Sequence, residues 1–211
     1  HYDNITKFSE EEFVEEYIEW AKEKGYQSSQ SKAVKIYAVA KTSIPTVTSN
    51  TSSVKMLVQE AVRVLREINK TLKKILTQMQ QLAKRLPEYS LVRKMGGVGD
   101  VLAVKLIAEI GDVKRFHNGK ALIAYAGIDA PPYQSGQFTA KERKISKRGS
   151  ASLRKIGYEV MRCLKSHAMP EDSAVYEFIL KKELEGKSKR AAKIAGLNKF
   201  LRIYYARVME L

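Results

Sequence analysis

Residues 54–86 read VKMLVQEAVRVLREINKTLKKILTQMQQLAKRL and contain neither glycine nor proline. Their apolar residues recur at alternating steps of four and three, at Val54, Val58, Ala61, Leu65, Ile68, Leu72, Ile75, Met79, Leu82 and Leu86. This heptad spacing is typical of a coiled coil and predicts one long helix that associates with a second copy. The alternative is a long amphipathic helix packed against its own domain.

The regions on either side of this helix differ in character. Residues 1–45 are interpreted as an acidic helical pair, in which Ser9 and Glu12 stand at the positions of a capping box. Residues 46–88 are interpreted as a linker and the coiled-coil helix. Residues 89–211 contain short apolar segments separated by glycines, with no stretch of period two. The sequence therefore predicts an all-α chain, with a long coiled-coil helix followed by a compact helical domain.

A helix-hairpin-helix is predicted within that domain, over residues 91–111, LVRKMGGVGDVLAVKLIAEIG. Gly97, Val98 and Gly99 would form the turn. The free N–H groups at the start of the second helix would then bind a DNA phosphate without reading the base sequence. The alternative is an ordinary helical hairpin with a glycine turn, because Asp100 at the start of the second helix would repel a phosphate.

Positive charge indicates a polyanionic partner, with nucleic acid as the leading candidate. Lysine and arginine number 38 against 23 acidic residues, which gives a net charge of +15. The irregular basic loop at residues 128–150 and the residues just after it carry a cluster of this charge: Lys141, Arg143, Lys144, Lys147, Arg148, Arg154 and Lys155. Such a cluster is expected to bind DNA or RNA phosphates with strong salt dependence. A solvated charge run is the alternative.

Several classes of site are excluded by residue counts. Cys163 is the only cysteine, so an intrachain disulfide and a cysteine-rich zinc site are excluded. No cofactor and no metal site are expected within these residues. No apolar run approaches the roughly 20 residues that span a bilayer, so no membrane is expected as a partner. The expected location is the cytoplasm, in association with the nucleoid.

Ser135 is the candidate nucleophile. It lies in the loop sequence PPYQSGQ, residues 131–137, directly before the basic cluster. A serine hydroxyl is a poor nucleophile unless its surroundings activate it. Arginines and lysines that held a scissile phosphate beside it would provide such surroundings.

Five motifs in this part of the chain resemble a known family in their order and spacing. They are MGGVG at 95–99, AEIGDVKRF at 108–116, AYAG at 124–127, QSG at 134–136 and ISKRGS at 145–150, the last followed by Leu153 and Arg154. Together they are similar to the C-terminal transposase domain of the IS110 family, over about residues 87–211.

The resemblance implies the DNA-binding C-terminal part of a recombinase that moves an insertion sequence. In that family a serine attacks DNA covalently, and it corresponds to Ser135 here. Lys147, Arg148 and Arg154 would hold the scissile phosphate or the RNA backbone. A structured bridge RNA selects the DNA, and an N-terminal acidic domain binds Mg²⁺. That acidic domain is absent from these residues, so the fragment is expected to bind DNA and to form a dimer or tetramer without cutting DNA alone.

Two other functional classes remain open. The chain would be a non-catalytic binding module if the helix-hairpin-helix and the basic loop recognised branched or bent DNA and the coiled coil only dimerised. Preference for junctions over linear duplex would favour that class. The chain would be a coiled-coil assembly protein if its basic loop were dispensable.

Overall fold

Helices make up most of the chain. A computed structural model describes residues 2–44, 51–130, 134–135, 138–139, 144–166 and 173–211, and of residues 134, 135, 138 and 139 it describes the backbone. The described helices are α1 Tyr2–Thr6, α2 Glu10–Glu23, α3 Gln30–Thr42, α4 Ser52–Ala83, α5 Glu88–Arg93, α6 Asp100–Ile110, α7 Gly119–Tyr125, α8 Ala151–Ser166, α9 Ala174–Leu184 and α10 Lys189–Met209. The predicted all-α class is confirmed.

Two short elements accompany the helices in the second half of the chain. A 3-10 turn, Val113–Arg115, lies between α6 and α7. Two-residue strands, β1 Gln134–Ser135 and β2 Phe138–Thr139, pair antiparallel, with Gln134 opposite Thr139 and Ser135 opposite Phe138. This hairpin was not predicted, because strands of two residues are too short to establish a period-two pattern.

The chain divides into two compact units, His1–Thr71 and Leu72–Leu211, and the division falls within α4. In the first unit α1 and α2 both pack against α3. The capping box at the start of α2 is confirmed. The Ser9 hydroxyl accepts a hydrogen bond from the Glu12 amide at 3.2 Å, and the Glu12 carboxylate accepts one from the Ser9 amide at 2.8 Å.

Helix α4 exposes most of its heptad residues. It is one helix of 32 residues, as the spacing predicts. Leu65, Ile68 and Leu72 are 57%, 52% and 57% exposed. Near the C-terminal end, Met79 packs against the core of the second unit and Ala83 is buried. The apolar face of the helix is therefore uncovered over most of its length by the described residues, and the coiled coil itself stays a prediction.

Helix α10 is central to the second unit. It packs against α5, α7, α8 and α9. Leu197, Phe200, Leu201 and Tyr204 follow each other at helical spacing and are at most 1% exposed. Burial raises the pKa of the Tyr204 phenol. This buried face joins the other helices of the unit into one core.

Helices α5 and α6 form a helical hairpin around residues 94–99. In its turn, Gly97 has φ +79°, and a Cβ atom at this position would lie 2.6 Å from the Val160 carbonyl oxygen of α8. A side chain at residue 97 would thus be strained in its backbone and would collide with α8. Ala103 of α6 is fully buried.

Substitution at the two glycines of this turn tests that explanation. Gly97→Ala is expected to lower the free energy of unfolding by about 2 kcal/mol or more, because it adds left-handed strain to a backbone clash. Gly99 has nothing within 4 Å of its Cβ position, so Gly99→Ala is the matched control. Its expected cost is about 1 kcal/mol or less, from a poorer helix cap. Urea unfolding followed by far-ultraviolet circular dichroism measures both, and equal losses would contradict the packing role of Gly97.

Candidate nucleic-acid interface

The chain segments before and after the Ser135 hairpin are joined by backbone hydrogen bonds. The Ser146 amide donates to the Asp129 carbonyl at 2.8 Å, Lys147 to Gly127 at 3.0 Å, and Ser150 to Tyr125 at 2.6 Å. We call residues 125–129 and 146–150 the stem. Because the stem brings the two ends of the intervening segment together, the hairpin is anchored to the helical core.

Side chains and a glycine strengthen this stem. The Ser146 hydroxyl donates to the Asp129 carboxylate. Arg154 donates from Nη1 to the Ala126 carbonyl at 3.0 Å and to the Ser150 carbonyl at 3.4 Å. A Cβ atom on Gly149 would overlap the Tyr125 carbonyl oxygen, so only glycine allows the two segments to approach this closely.

Ser150 connects the stem to two helices. Its hydroxyl accepts a hydrogen bond from the Leu153 amide at 3.0 Å, which caps the start of α8. The same hydroxyl donates to the Glu109 carboxylate of α6 at 2.5 Å. The end of the stem is therefore fixed to both α6 and α8.

The backbone of Ser135 lies in β1, opposite Phe138 of β2. Its side chain lies outside what the structure describes, as do the neighbouring residues 131–133, 136–137 and 140–143. The candidate nucleophile is thus located on a short hairpin within the segment that the stem closes.

The basic residues that the sequence groups together separate in the structure. Lys141 and Arg143 lie outside the described residues, and Lys144, Lys147 and Arg148 are exposed. Arg154 is turned toward the stem carbonyls described above. Lys155 lines a different groove, which also contains Lys105, Glu109 and Glu159.

Lys144 and Lys147 meet a second group of cations that comes from the last helix. They line a cleft together with Lys187, Arg190, Lys199 and Arg202, which we call the basic cleft. Lys187 and Arg190 belong to a basic run that the sequence shows plainly, but Lys199 and Arg202 escaped the sequence analysis. Lys199 and Arg202 stand three residues apart, which puts these two on one face of α10.

The turn of the helical hairpin is mainly a packing element. Val98 is 5% exposed, and Gly97 packs against α8 as described above. Arg93 donates from Nε to Asp100 Oδ1 at 2.5 Å, and this hydrogen bond holds the pKa of that carboxyl below its usual range. The negative charge of Asp100 is therefore matched by a neighbouring cation. A role of this turn in phosphate binding remains a prediction.

Comparisons with known proteins show what this region is similar to. Residues 89–177 match the Transposase IS116/IS110/IS902 family. Pilin gene-inverting protein of Moraxella bovis is 30% identical over 137 residues, which cover 63% of this chain and 42% of that protein. Transposase for insertion sequence element IS1111A of Coxiella burnetii is 32% identical over 92 residues, covering 43% of this chain and 24% of that protein.

Residues 89–177 are therefore similar to this transposase family, in agreement with the family named in the resemblance. The matched segment begins in α5, includes the stem and the hairpin, and extends into α9. The chain spans less than half of the length of each of these two relatives.

The described residues contain neither a cluster of metal-ligating side chains nor a helix suited to crossing a membrane. Among the described residues, no three histidine, cysteine, aspartate or glutamate side chains stand together in a way that could hold a metal ion. No helix in the described part of the chain combines the length and apolar character that a membrane crossing needs.

Ser150→Ala tests how the stem is anchored. The variant should lose about 1–2 kcal/mol of unfolding free energy, because it removes a helix cap and leaves the Glu109 carboxylate without its donor. Ser152→Ala is the control, since Ser152 is exposed on the first turn of α8 and its change should stay within about 0.5 kcal/mol. Urea titrations of the two variants give both values. A Ser150→Ala protein as stable as the control would refute the anchoring role.

Proposed function

We propose that this chain is the C-terminal, DNA-binding part of a DNA transposase and that Ser135 is its nucleophile. The observation that carries the proposal is that the transposase-family segment, residues 89–177, includes the whole Ser135 hairpin together with its anchored stem. Both relatives described above are named for moving or inverting DNA segments.

The proposed reaction is a transesterification at a DNA phosphodiester. The Ser135 hydroxyl oxygen attacks phosphorus and forms a new P–O bond, while one deoxyribose oxygen leaves with its bonding electrons and takes up a proton. The DNA strand is then joined to Ser135 as a phosphodiester. Attack by a hydroxyl of a second DNA strand reverses these events and releases the serine, so no net bond energy is consumed.

The stem and the neighbouring cations have distinct tasks in this proposal. Hydrogen bonds at the stem limit the movement of the hairpin, so that the nucleophile is held near its target. Lys144, Lys147 and Arg148 are exposed beside the stem and supply positive charge for the phosphate under attack. Arg154 acts indirectly, by fixing the carbonyls of Ala126 and Ser150 within the stem.

The remaining partners are proposed from the family resemblance. A structured RNA would select the DNA sites, and the acidic domain that binds Mg²⁺ would belong to a part of the protein outside these residues. The described residues offer no metal cluster, so the steps above use only groups of this chain. A protein that acts on chromosomal DNA would work in the cytoplasm, at the nucleoid.

Ser135→Ala in the full-length protein tests the nucleophile. Recombination is expected to fall by at least about a thousandfold, because the attacking atom is gone. The covalent protein–DNA adduct should disappear with it, whereas DNA binding should stay within about twofold of the unaltered protein, because no cation is removed. Adducts trapped on a radiolabelled substrate and resolved on a denaturing gel give the first readout, and gel retention gives the second.

Ser152→Ala serves as the control, because it removes a serine hydroxyl from the same unit outside the hairpin. It should recombine normally. Normal recombination by Ser135→Ala would sink the nucleophile assignment. If that result came with stronger binding to DNA junctions than to linear duplex, the chain would instead be a non-catalytic helix-hairpin-helix module.

We also propose that two or more copies associate through α4. Leu65, Ile68, Leu72 and Ile75 lie on one face of this helix and are about half exposed. A continuous apolar face of this kind is usually covered by a partner. Heptad spacing fits a second copy of the same helix.

Leu65→Lys combined with Leu72→Lys tests the association. The doubly substituted protein should be a monomer, because charges in a heptad core oppose helix pairing, while the unaltered chain should have the mass of a dimer or tetramer. Gln59→Lys combined with Gln81→Lys adds the same charge on the opposite face of α4 and should keep the oligomer. Light scattering coupled to size-exclusion chromatography gives the masses. A monomeric unaltered chain, or an unchanged mass for the Leu65 and Leu72 variant, would exclude association through α4.

A further inference from the structure

The basic cleft carries an inference beyond the general binding of DNA phosphates. It has a volume of about 840 Å³ and lies where the stem, α9 and the start of α10 meet. Six of its lining residues are cationic: Lys144, Lys147, Lys187, Arg190, Lys199 and Arg202. None of the described residues that line it is acidic. The lining is therefore suited to an anion with several charges.

These six cations keep their positive charge available. In the described part of the chain none of them forms an ion pair with a carboxylate. Lys199 donates to the Ala174 carbonyl at 2.9 Å, which fixes its position without neutralising it. Cations that repel one another across a cleft raise its affinity for phosphate groups, because each bound phosphate relieves that repulsion.

The start of α10 adds to this potential. Ser188 caps the helix by accepting a hydrogen bond from the Ala191 amide at 3.2 Å, and both residues line the cleft. The N-terminal end of a helix carries partial positive charge. It therefore acts in the same direction as the six side chains.

Four apolar side chains also line the cleft, and we call them its apolar floor. Ile128, Ile145, Phe178 and Ile194 line it beside the cations. A patch that met only the outside of a DNA duplex would touch sugars and phosphates, because paired bases are stacked inside the helix. An unpaired nucleotide whose base is no longer stacked fits both parts of the lining. Its base face can contact the apolar side chains, and its phosphate can contact the cations.

The cleft is lined by both ends of the segment that contains the candidate nucleophile. Ala130 and Lys144 line it, and they are the last described residue before and the first after the segment that includes the Ser135 hairpin. A strand held in the cleft would consequently lie at the base of that hairpin.

We propose that the basic cleft binds an unpaired nucleotide of a nucleic-acid strand, with its base on the apolar floor and the flanking phosphates on the cations. This proposal deepens the proposed function. It rests on that function in one respect, namely that the strand bound in the cleft is the strand that Ser135 attacks. In that setting the cleft selects a melted strand over an intact duplex. Binding alone tests the cleft, so a failure of the Ser135 nucleophile would leave its readout unaffected.

The test measures the affinity of the whole chain for fluorescent oligonucleotides across a salt series, by anisotropy. The probes are oligo-dT, oligo-rU and a blunt DNA duplex of the same length. The unaltered chain should bind the single strands at least about tenfold more tightly than the duplex, because only unpaired bases reach the floor. The comparison of dT with rU shows whether DNA, RNA or both provide the nucleotide.

The contribution of the cations to binding is measured with one pair of double variants, and that of the floor with a second pair of single variants. Arg190→Gln with Arg202→Gln, both at exposed positions, should reduce the slope of log affinity against log salt by about 1.4, as expected for two lost phosphate contacts on a single strand. Lys114→Gln with Lys120→Gln removes two exposed cations outside the cleft and should leave that slope unchanged. Circular dichroism verifies that each protein is folded.

Ala191 lines the cleft, and Ala191→Leu adds an apolar side chain that takes up space beside the floor while keeping every cation. It should lower single-strand affinity at least about fivefold, the lower end of the effect of losing one stacked base, and leave duplex affinity unchanged. Ala206→Leu makes the same change at an exposed position of α10 outside the cleft and should have no effect. Equal binding of duplex and single strands, or no effect of either cleft variant, would overturn the proposal.

Discussion

The close backbone pairing of residues 125–129 with residues 146–150 is the constraint on which the candidate site depends. These hydrogen bonds close the segment that contains Ser135 and leave the hairpin as its outer part. They require Gly149, because any side chain there would meet the Tyr125 carbonyl. Within the stem, the Arg154 guanidinium donates to a backbone carbonyl, although the sequence had predicted that this residue would bind a phosphate. The reaction proposed for Ser135 needs this anchoring, because a hydroxyl that is not held near the phosphorus atom reacts more slowly.

Much of the helical framework was predictable because its signals are local. The capping box at Ser9 and the heptads of α4 depend on residues only a few positions apart, and both helices are found where those signals put them. The need for glycine at residue 97 was foreseen as a turn. Glycine is also needed there because the backbone of Val160 lies close to residue 97. This second reason was not predicted, because the two residues are far apart in sequence.

The candidate site was harder to predict for the same reason. Sequence proximity grouped Lys147, Arg154 and Lys155, but the start of α8 turns them in different directions. Spatial proximity instead joins Lys147 to Arg190 and Arg202, from the far end of the chain. The cations of such a cluster come from a loop and from a distant helix, so they do not stand next to one another in the sequence. Only the three-residue step from Lys199 to Arg202 along α10 pointed to a part of it.

The stem has a consequence for how such proteins can diverge. Its hydrogen bonds join backbone atoms, and the positions that need a particular residue, such as Gly149 and Ser150, lie within the stem itself. The segment between Ala130 and Lys144 can thus change in length or sequence at a small entropic cost, because a loop with fixed ends adds little when it grows. Helices below the stem would keep their packing through such changes. Related chains could therefore vary this segment around Ser135 while keeping one helical core.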